Sequence, residues 1–312
     1  MRSYGTLLCL ASGAAFGAMA IFGKLAYGEG ANLGTLLAVR FALAAVAFWA
    51  LVLAGGAIRE VRALKLRDLC IALALGIGGY AIQAGSYFAA LERIDASLAA
   101  LVLYTFPAIV AVTAVALGRE RMDRRRATAL GLASGGLALV VASGGAGELD
   151  PVGIALALAA AVVYSGYILV SQGVAGRMRP TVLSALVCTG AAVSLTAGAT
   201  MLGQFRPGEV APAGWGWLAC IAVVSTVASV GLFFAGLRRV GPTTASILAT
   251  VEPVVTVVLA FLVFGETLTP VQFLGGALVL SALPVLVVPA SLRVPRSWGR
   301  IALAPGREGP RP

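Results

Sequence analysis

Two charged side chains lie inside long apolar runs, where a soluble protein would have little use for them. Arg40 falls within the run 32–54, and Glu252 within the run 243–264. At about 1.5 Å of rise per helical residue, Arg40 would sit ~12 Å from the start of its run. An arginine at that depth is costly unless it is paired or wetted. It can grip an anionic group such as a carboxylate through two parallel hydrogen bonds. It can also clamp two helices or snorkel to the interface. Glu252 falls near the middle of its run, where desolvation favours the protonated acid, so it is a candidate proton carrier. It can equally serve as a structural partner for Arg40 or for hydroxyls. Pro253 follows it directly and is expected to kink the helix and free a carbonyl.

Other polar residues recur at helical spacing and mark faces that could line a polar cavity. Tyr80, Gln83 and Tyr87 follow i, i+3, i+7. Tyr164, Tyr167 and Ser171 share a second face, with Gln172 beside them, and Ser225 and Ser229 lie one α-turn apart. Tyr104 and Thr105 precede Pro107, a second expected kink. Substrate lining and interhelical hydrogen bonding are competing roles for all of these. Gly13 with Gly17, and Gly131 with Gly135, have the spacing of close helix packing. Lys24 falls near the end of its run, where snorkelling accounts for it. The chain has no histidine, hence neither the commonest general base nor the commonest metal ligand. Cys9, Cys70, Cys188 and Cys220 are far apart and form no CxxC pair, so they read as reduced packing residues. No cofactor is expected.

The elements that must position these residues are membrane helices. Sixty per cent of the 312 residues are hydrophobic and only 12% are charged, too few to cover a soluble surface. The apolar runs are 4–27, 32–54, 69–91, 97–117, 127–143, 152–172, 182–203, 215–237, 243–264 and 271–288. Most have the ~20 residues a helix needs to cross about 30 Å of hydrocarbon. Gly, Pro and charge break the runs, as at 118–120, 144–147, 206–208 and 238–242. The stretch around residues 18–20 resembles a signal-peptide cleavage site, but the apolar run continues past it, so a retained first helix is expected. The net charge of +10 does not point to nucleic acid, because the basic residues sit in short segments between apolar runs. With a cytoplasmic N-terminus, 19 of the 23 basic residues fall on the inner side. That asymmetry predicts both termini in the cytoplasm. Trp215 and Trp217 then fit the outer aromatic belt.

The two halves resemble each other. Phe88-Ala89-Ala90-Leu91-Glu92-Arg93 recurs as Phe234-Ala235-Gly236-Leu237-Arg238-Arg239, and at the same offset Pro107 matches Pro253 and Glu120 matches Glu266. Each half holds five runs. Five is odd, so the second half enters the membrane from the opposite side, as in transporters built from inverted repeats with a site at the midplane. The expected organisation is a first repeat over 1–147, a second over 148–290 and a disordered basic tail over 291–312.

The segments Ala245-Ser246-Ile247-Leu248-Ala249-Thr250-Val251-Glu252-Pro253 and Phe264-Gly265-Glu266-Thr267-Leu268-Thr269-Pro270, with Tyr104-Thr105-Phe106-Pro107 and Gly118-Arg119-Glu120 in the first half, resemble the EamA-like branch of the drug/metabolite transporter superfamily. Gly-Arg-Glu replaces the usual Gly-Glu of the first half. The resemblance implies an all-α membrane protein of ten transmembrane helices in two inverted five-helix repeats, in a bacterial inner membrane, exporting metabolites or amino acids by alternating access. The expected partners are a small-molecule substrate and the lipid bilayer, with a homodimer as a candidate assembly that the sequence does not decide. Rival classes fit less well. The residues for a Ser/His, HExxH or twin-aspartate intramembrane protease are missing, while a lipid-modifying enzyme or a lipid flippase remains as the alternative.

Overall fold

The computed structural model describes residues 2–117, 123–142, 150–175, 177–240, 248 and 251–287. The expected basic tail, the 118–120 and 144–147 breaks with Glu120, and most of the 243–250 motif lie outside the described residues. Among the described residues every regular element is helical.

Among the described residues six helices are long and apolar enough to cross a membrane: Ser3–Gly28, Leu33–Ala54, Leu66–Leu91, Pro151–Ser171, Pro180–Met201 and Pro212–Gly236. Four shorter apolar helices complete the two sets of five: Ala96–Val110, Ala127–Val140, Val251–Phe264 and Pro270–Ala282. In chain order these are spans 1 to 10. In hydrocarbon no water is available to the backbone, so each span closes its hydrogen bonds along its own axis. Proline opens several of them (Pro151, Pro180, Pro212 and Pro270), where its missing N–H costs nothing. Span 2 opens instead on Asn32, whose side chain accepts from the Thr35 N–H at 2.8 Å.

The packing repeats with the sequence. Spans 2 and 7, 4 and 9, and 5 and 10 pack as matched pairs, and the contacts of span 1 with spans 8 and 9 are mirrored by those of span 6 with spans 3 and 4. Exchanging the halves therefore returns the same set of neighbours, as a pseudo-twofold axis requires.

Spans 3 and 8 share a feature that helical periodicity does not foretell. Each contains six residues of π-helix, Leu75–Tyr80 and Val223–Ala228, at equivalent places in the two halves. A π turn admits one extra residue and re-aims the side chains that follow it. Span 4 breaks at Tyr104 and Thr105, between Ala96–Leu103 and Phe106–Ala116, just before Pro107. Pro253 instead stands in the first turn of the described part of span 9, with its ring buried.

Glycine sets the closest approaches between halves. A Cβ on Gly17 would lie 2.6 Å from the Glu252 carbonyl oxygen, so span 1 rests directly on the backbone of span 9. The expected pair Gly131 and Gly135 does not pack in this way, since a Cβ on either would meet nothing within 4 Å. Gly136, on the next face, does so against Gly275 of span 10.

Candidate functional site

Arg40 is 2% exposed, deep in span 2. Its Nε donates to the Thr226 hydroxyl at 3.2 Å, and its guanidinium lies over the Phe41 and Phe88 rings at 4.8 and 5.2 Å. Tyr80, Tyr87 and Cys188 are its electrostatic neighbours. Thr226 sits in the π turn of span 8, and its own proton goes to the Ile221 carbonyl five residues back, at 2.9 Å. The hydroxyl therefore presents a lone pair to the arginine. Among the described residues no salt bridge joins Arg40 to a carboxylate. The arginine–glutamate clamp weighed from the sequence is absent here.

A train of aromatic rings leads away from the arginine. The Phe41 ring meets Tyr80 edge-on at 5.2 Å, Tyr80 stacks on Tyr167 at 5.7 Å, and Tyr167 stacks on Tyr164 at 6.2 Å. Tyr164 then meets Phe106 at 4.8 Å, and Phe106 meets Tyr104 at 5.7 Å. The train ends where the Tyr104 hydroxyl donates to Glu252 Oε2 at 2.9 Å. Spans 2, 3, 4, 6 and 9 thus contribute to one continuous surface with a cation at one end and a carboxyl group at the other. Tyr80, Tyr164, Tyr167 and Glu252 are half-buried among these helices, while Gln83, Tyr87 and Tyr104 are buried. Thr256, one turn after Glu252, donates to the Gly17 carbonyl at 2.9 Å and pins span 9 to span 1.

Ser225 and Ser229 flank Thr226 in span 8. Both are fully buried, and Ser229 donates to the Thr226 carbonyl at 3.1 Å. Thr226, between them, was not singled out from the sequence, because no α-helical pattern foretells the π turn it lies in. The side chains of Pro107 and Gln172 lie outside the described residues. No group of three or more His, Cys, Asp or Glu that could hold a metal occurs among the described residues.

A second polar cluster sits at one end of the bundle. Glu266, just after span 9, accepts from Lys24 Nζ at 2.9 Å, from the Ala96 and Ser97 N–H groups at 3.1 Å each, and from Ser97 Oγ at 3.0 Å. Burial alone would raise its pKa, but Lys24 and the Ser97 and Ala96 amides hold the carboxyl below the usual carboxylate range. Lys24 is therefore the half-buried cation of an ion pair between the two halves, rather than a snorkelling side chain. The pair borders a cavity of about 580 Å³ lined by Lys24, Tyr27, Asn32, Glu92 and Phe264 among others.

The model of the EamA-like transporter family matches this chain twice, over residues 3–142 and 151–288. An uncharacterised transporter of Archaeoglobus fulgidus is 30% identical over 200 residues, covering 64% of this chain and 70% of its own length. The uncharacterised transporter YwfM of Bacillus subtilis is 30% identical over 211 residues, covering 66% and 69%. YcbK, another uncharacterised transporter of Bacillus subtilis, is 26% identical over 277 residues, covering 87% and 88%. A solved crystal structure of 22% identity shares the fold, with a TM-score of 0.60 across 92% of this chain and 97% of that one. With ten apolar helices that pack as two matched sets of five and a family match covering both sets, this chain belongs to the EamA-like transporter family, as an all-α, multi-pass membrane protein.

Proposed function

We propose that this protein is a secondary transporter that exports a small zwitterionic metabolite, an amino acid or a close relative, by alternating access. The carrying observation is Arg40, a buried cation with no carboxylate partner among the described residues, facing Glu252 along a shelf of aromatic rings. A membrane arginine left without a protein anion is a ready receptor for a substrate carboxylate. The tyrosine faces between the two ends attract an ammonium group. Glu252 supplies the second charge and carries the coupling proton. Rocking of the two five-helix halves, 1–147 and 148–290, exposes this site to one side of the membrane at a time.

In this reading the membrane is a bacterial inner membrane and both termini are cytoplasmic, following the arginine asymmetry. The export direction is carried over from the family. A second copy of the chain is the proposed protein partner. The test is uptake of an amino-acid and metabolite panel into proteoliposomes, with and without a pH gradient, comparing the wild type with Arg40→Ala. A zwitterion moved by the wild type and not by the variant supports the reading. A panel in which Arg40→Ala transports as well as the wild type refutes it.

A further inference from the structure

We propose that Glu266, held by Lys24 and Ser97, is the bolt of a gate that closes one mouth of the bundle, and that breaking this cluster opens the path from that mouth to the aromatic site.

Glu266 belongs to the second half, and all four of its donors belong to the first: Lys24 on span 1, and the Ala96 amide with the Ser97 amide and hydroxyl at the start of span 4. The side chain is 8% exposed. The carboxylate caps the positive end of the Ala96–Leu103 helix, which adds the helix dipole to the charge of Lys24. Its placement is fixed from its own side as well. Gly265 adopts φ 69°, the Gly265 N–H donates to the Phe261 carbonyl at 2.9 Å, and the Glu266 N–H donates to the Ala260 carbonyl at 3.3 Å. This glycine cap of span 9 turns the chain back on itself and delivers the carboxylate to the first half. Lys24 also lies 5.8 Å from the Phe264 ring, a further contact between halves.

Spans 1, 4 and 9, which the bolt joins, are also the spans that meet around Tyr104 and Glu252. A cavity of about 580 Å³ has Lys24 in its wall. Parting Glu266 from Lys24 and Ser97 therefore connects that cavity to the site along the seam of these three spans. The parted groups are polar and adjoin the cavity, so water can satisfy them in the open state. Spans 2 and 7 pack along their whole length, with Trp49 Nε1 donating to the Thr189 hydroxyl at 2.9 Å between them, and serve as the fixed part. Other ion pairs between the halves are more exposed: Arg93 with Asp150, Arg177 with Asp68 and Arg179 with Glu60 have arginines 48%, 54% and 61% exposed. Pairs of that kind contribute little.

The inference rests on the transporter reading, but its test uses no solute. Tyr164→Cys places a thiol on the half-buried aromatic shelf, and a membrane-impermeant maleimide is applied to right-side-out or inside-out vesicles. Peptide mass spectrometry separates the introduced thiol from the native cysteines. In this background Lys24→Met and Glu266→Gln each raise labelling from the face that bears Glu266 by about tenfold. The double variant labels no faster than the more open single one, because both substitutions remove the Lys24–Glu266 ion pair, and the 3.8 Å contact of Lys24 with Asp95 lies within the first half. Ser97→Ala, which removes one hydrogen bond and keeps the ion pair, gives a smaller rise of about threefold. Wild-type rates in all these variants, or single effects that multiply in the double variant, would overturn the bolt. Failure of the wild type to move any solute refutes the transport reading while leaving the labelling result intact.

Discussion

Tyr104 of the first half donates its hydroxyl proton to Glu252 of the second at 2.9 Å, so the aromatic shelf that begins beside Arg40 ends on a carboxyl group from the opposite repeat. The two ends of the candidate site are thus tied to different halves, and any relative motion of the halves changes the distance between them.

Arg40 should tolerate no substitution that keeps only its charge. Lysine lacks the Nε that meets Thr226 and the planar fork that binds a carboxylate in two places. Arg40→Lys is expected to lower transport efficiency about 10- to 100-fold, mainly through a higher KM. Thr226→Val should show a milder loss in the same direction, and Thr226→Ser should behave as wild type because it retains the lone pair. Solute uptake at varied concentration measures all three. A normal KM in Thr226→Val would remove this threonine from the site.

Glu252→Gln keeps a group that can accept from Tyr104 but carries no titratable proton. Exchange of labelled for unlabelled solute across proteoliposomes should persist in this variant. Acceleration by an imposed pH gradient should vanish. If the gradient drives the variant as well as the wild type, the coupling proton resides elsewhere.

Gly17 and Gly135 make a paired test of helix packing. Gly17→Ala places a methyl group 2.6 Å from the Glu252 carbonyl oxygen and 3.0 Å from Val255 Cβ, so span 9 must shift. A destabilisation of about 1–3 kcal/mol is expected, together with impaired transport. Gly135→Ala meets nothing within 4 Å and should be neutral or stabilising by up to about 1 kcal/mol through helix propensity. Thermal unfolding in detergent distinguishes them, and equal effects would contradict the packing of spans 1 and 9.

The pH response of the Lys24–Glu266 pair follows from the lowered pKa of Glu266. A carboxyl group whose folded pKa is depressed contributes stability above its unfolded pKa, and loses it as pH falls through the folded value. Thermal stability attributable to Glu266, read as wild type minus Glu266→Gln, should therefore stay level from pH 8 down to the ordinary carboxylate range and shrink only below it. A difference that already disappears near pH 6 would show that the carboxylate is not held in its charged form.

The ten spans and their pairing into halves were legible because both leave marks in the linear sequence: apolar runs of membrane length, and Phe88–Arg93 echoed at 234–239. Arg40 and Glu252 stood out because charge is rare in such runs. What the sequence concealed depends on tertiary register. Thr226 lies in the π turn of span 8, whose presence no α-helical pattern foretells, and Ser225 and Ser229 beside it are fully buried. Lys24 and Glu266 are 242 positions apart, and no local pattern links them. Gly136 packs where the Gly131 and Gly135 spacing suggested otherwise, because helix rotation about its own axis is set by the neighbouring span and not by the motif.

Among the described residues Glu252 is the one carboxyl group on the aromatic shelf, and the chain has no histidine to add a second titrating site. A cycle that carries protons on this residue moves at most one per solute. Each unit of pH difference is worth about 1.4 kcal/mol, so the chemical gradient of protons alone can hold a solute of zero net charge no more than about tenfold from equilibrium per unit of pH difference. A single acid in the pathway thus places a thermodynamic ceiling on how steep a solute gradient such a cycle can sustain.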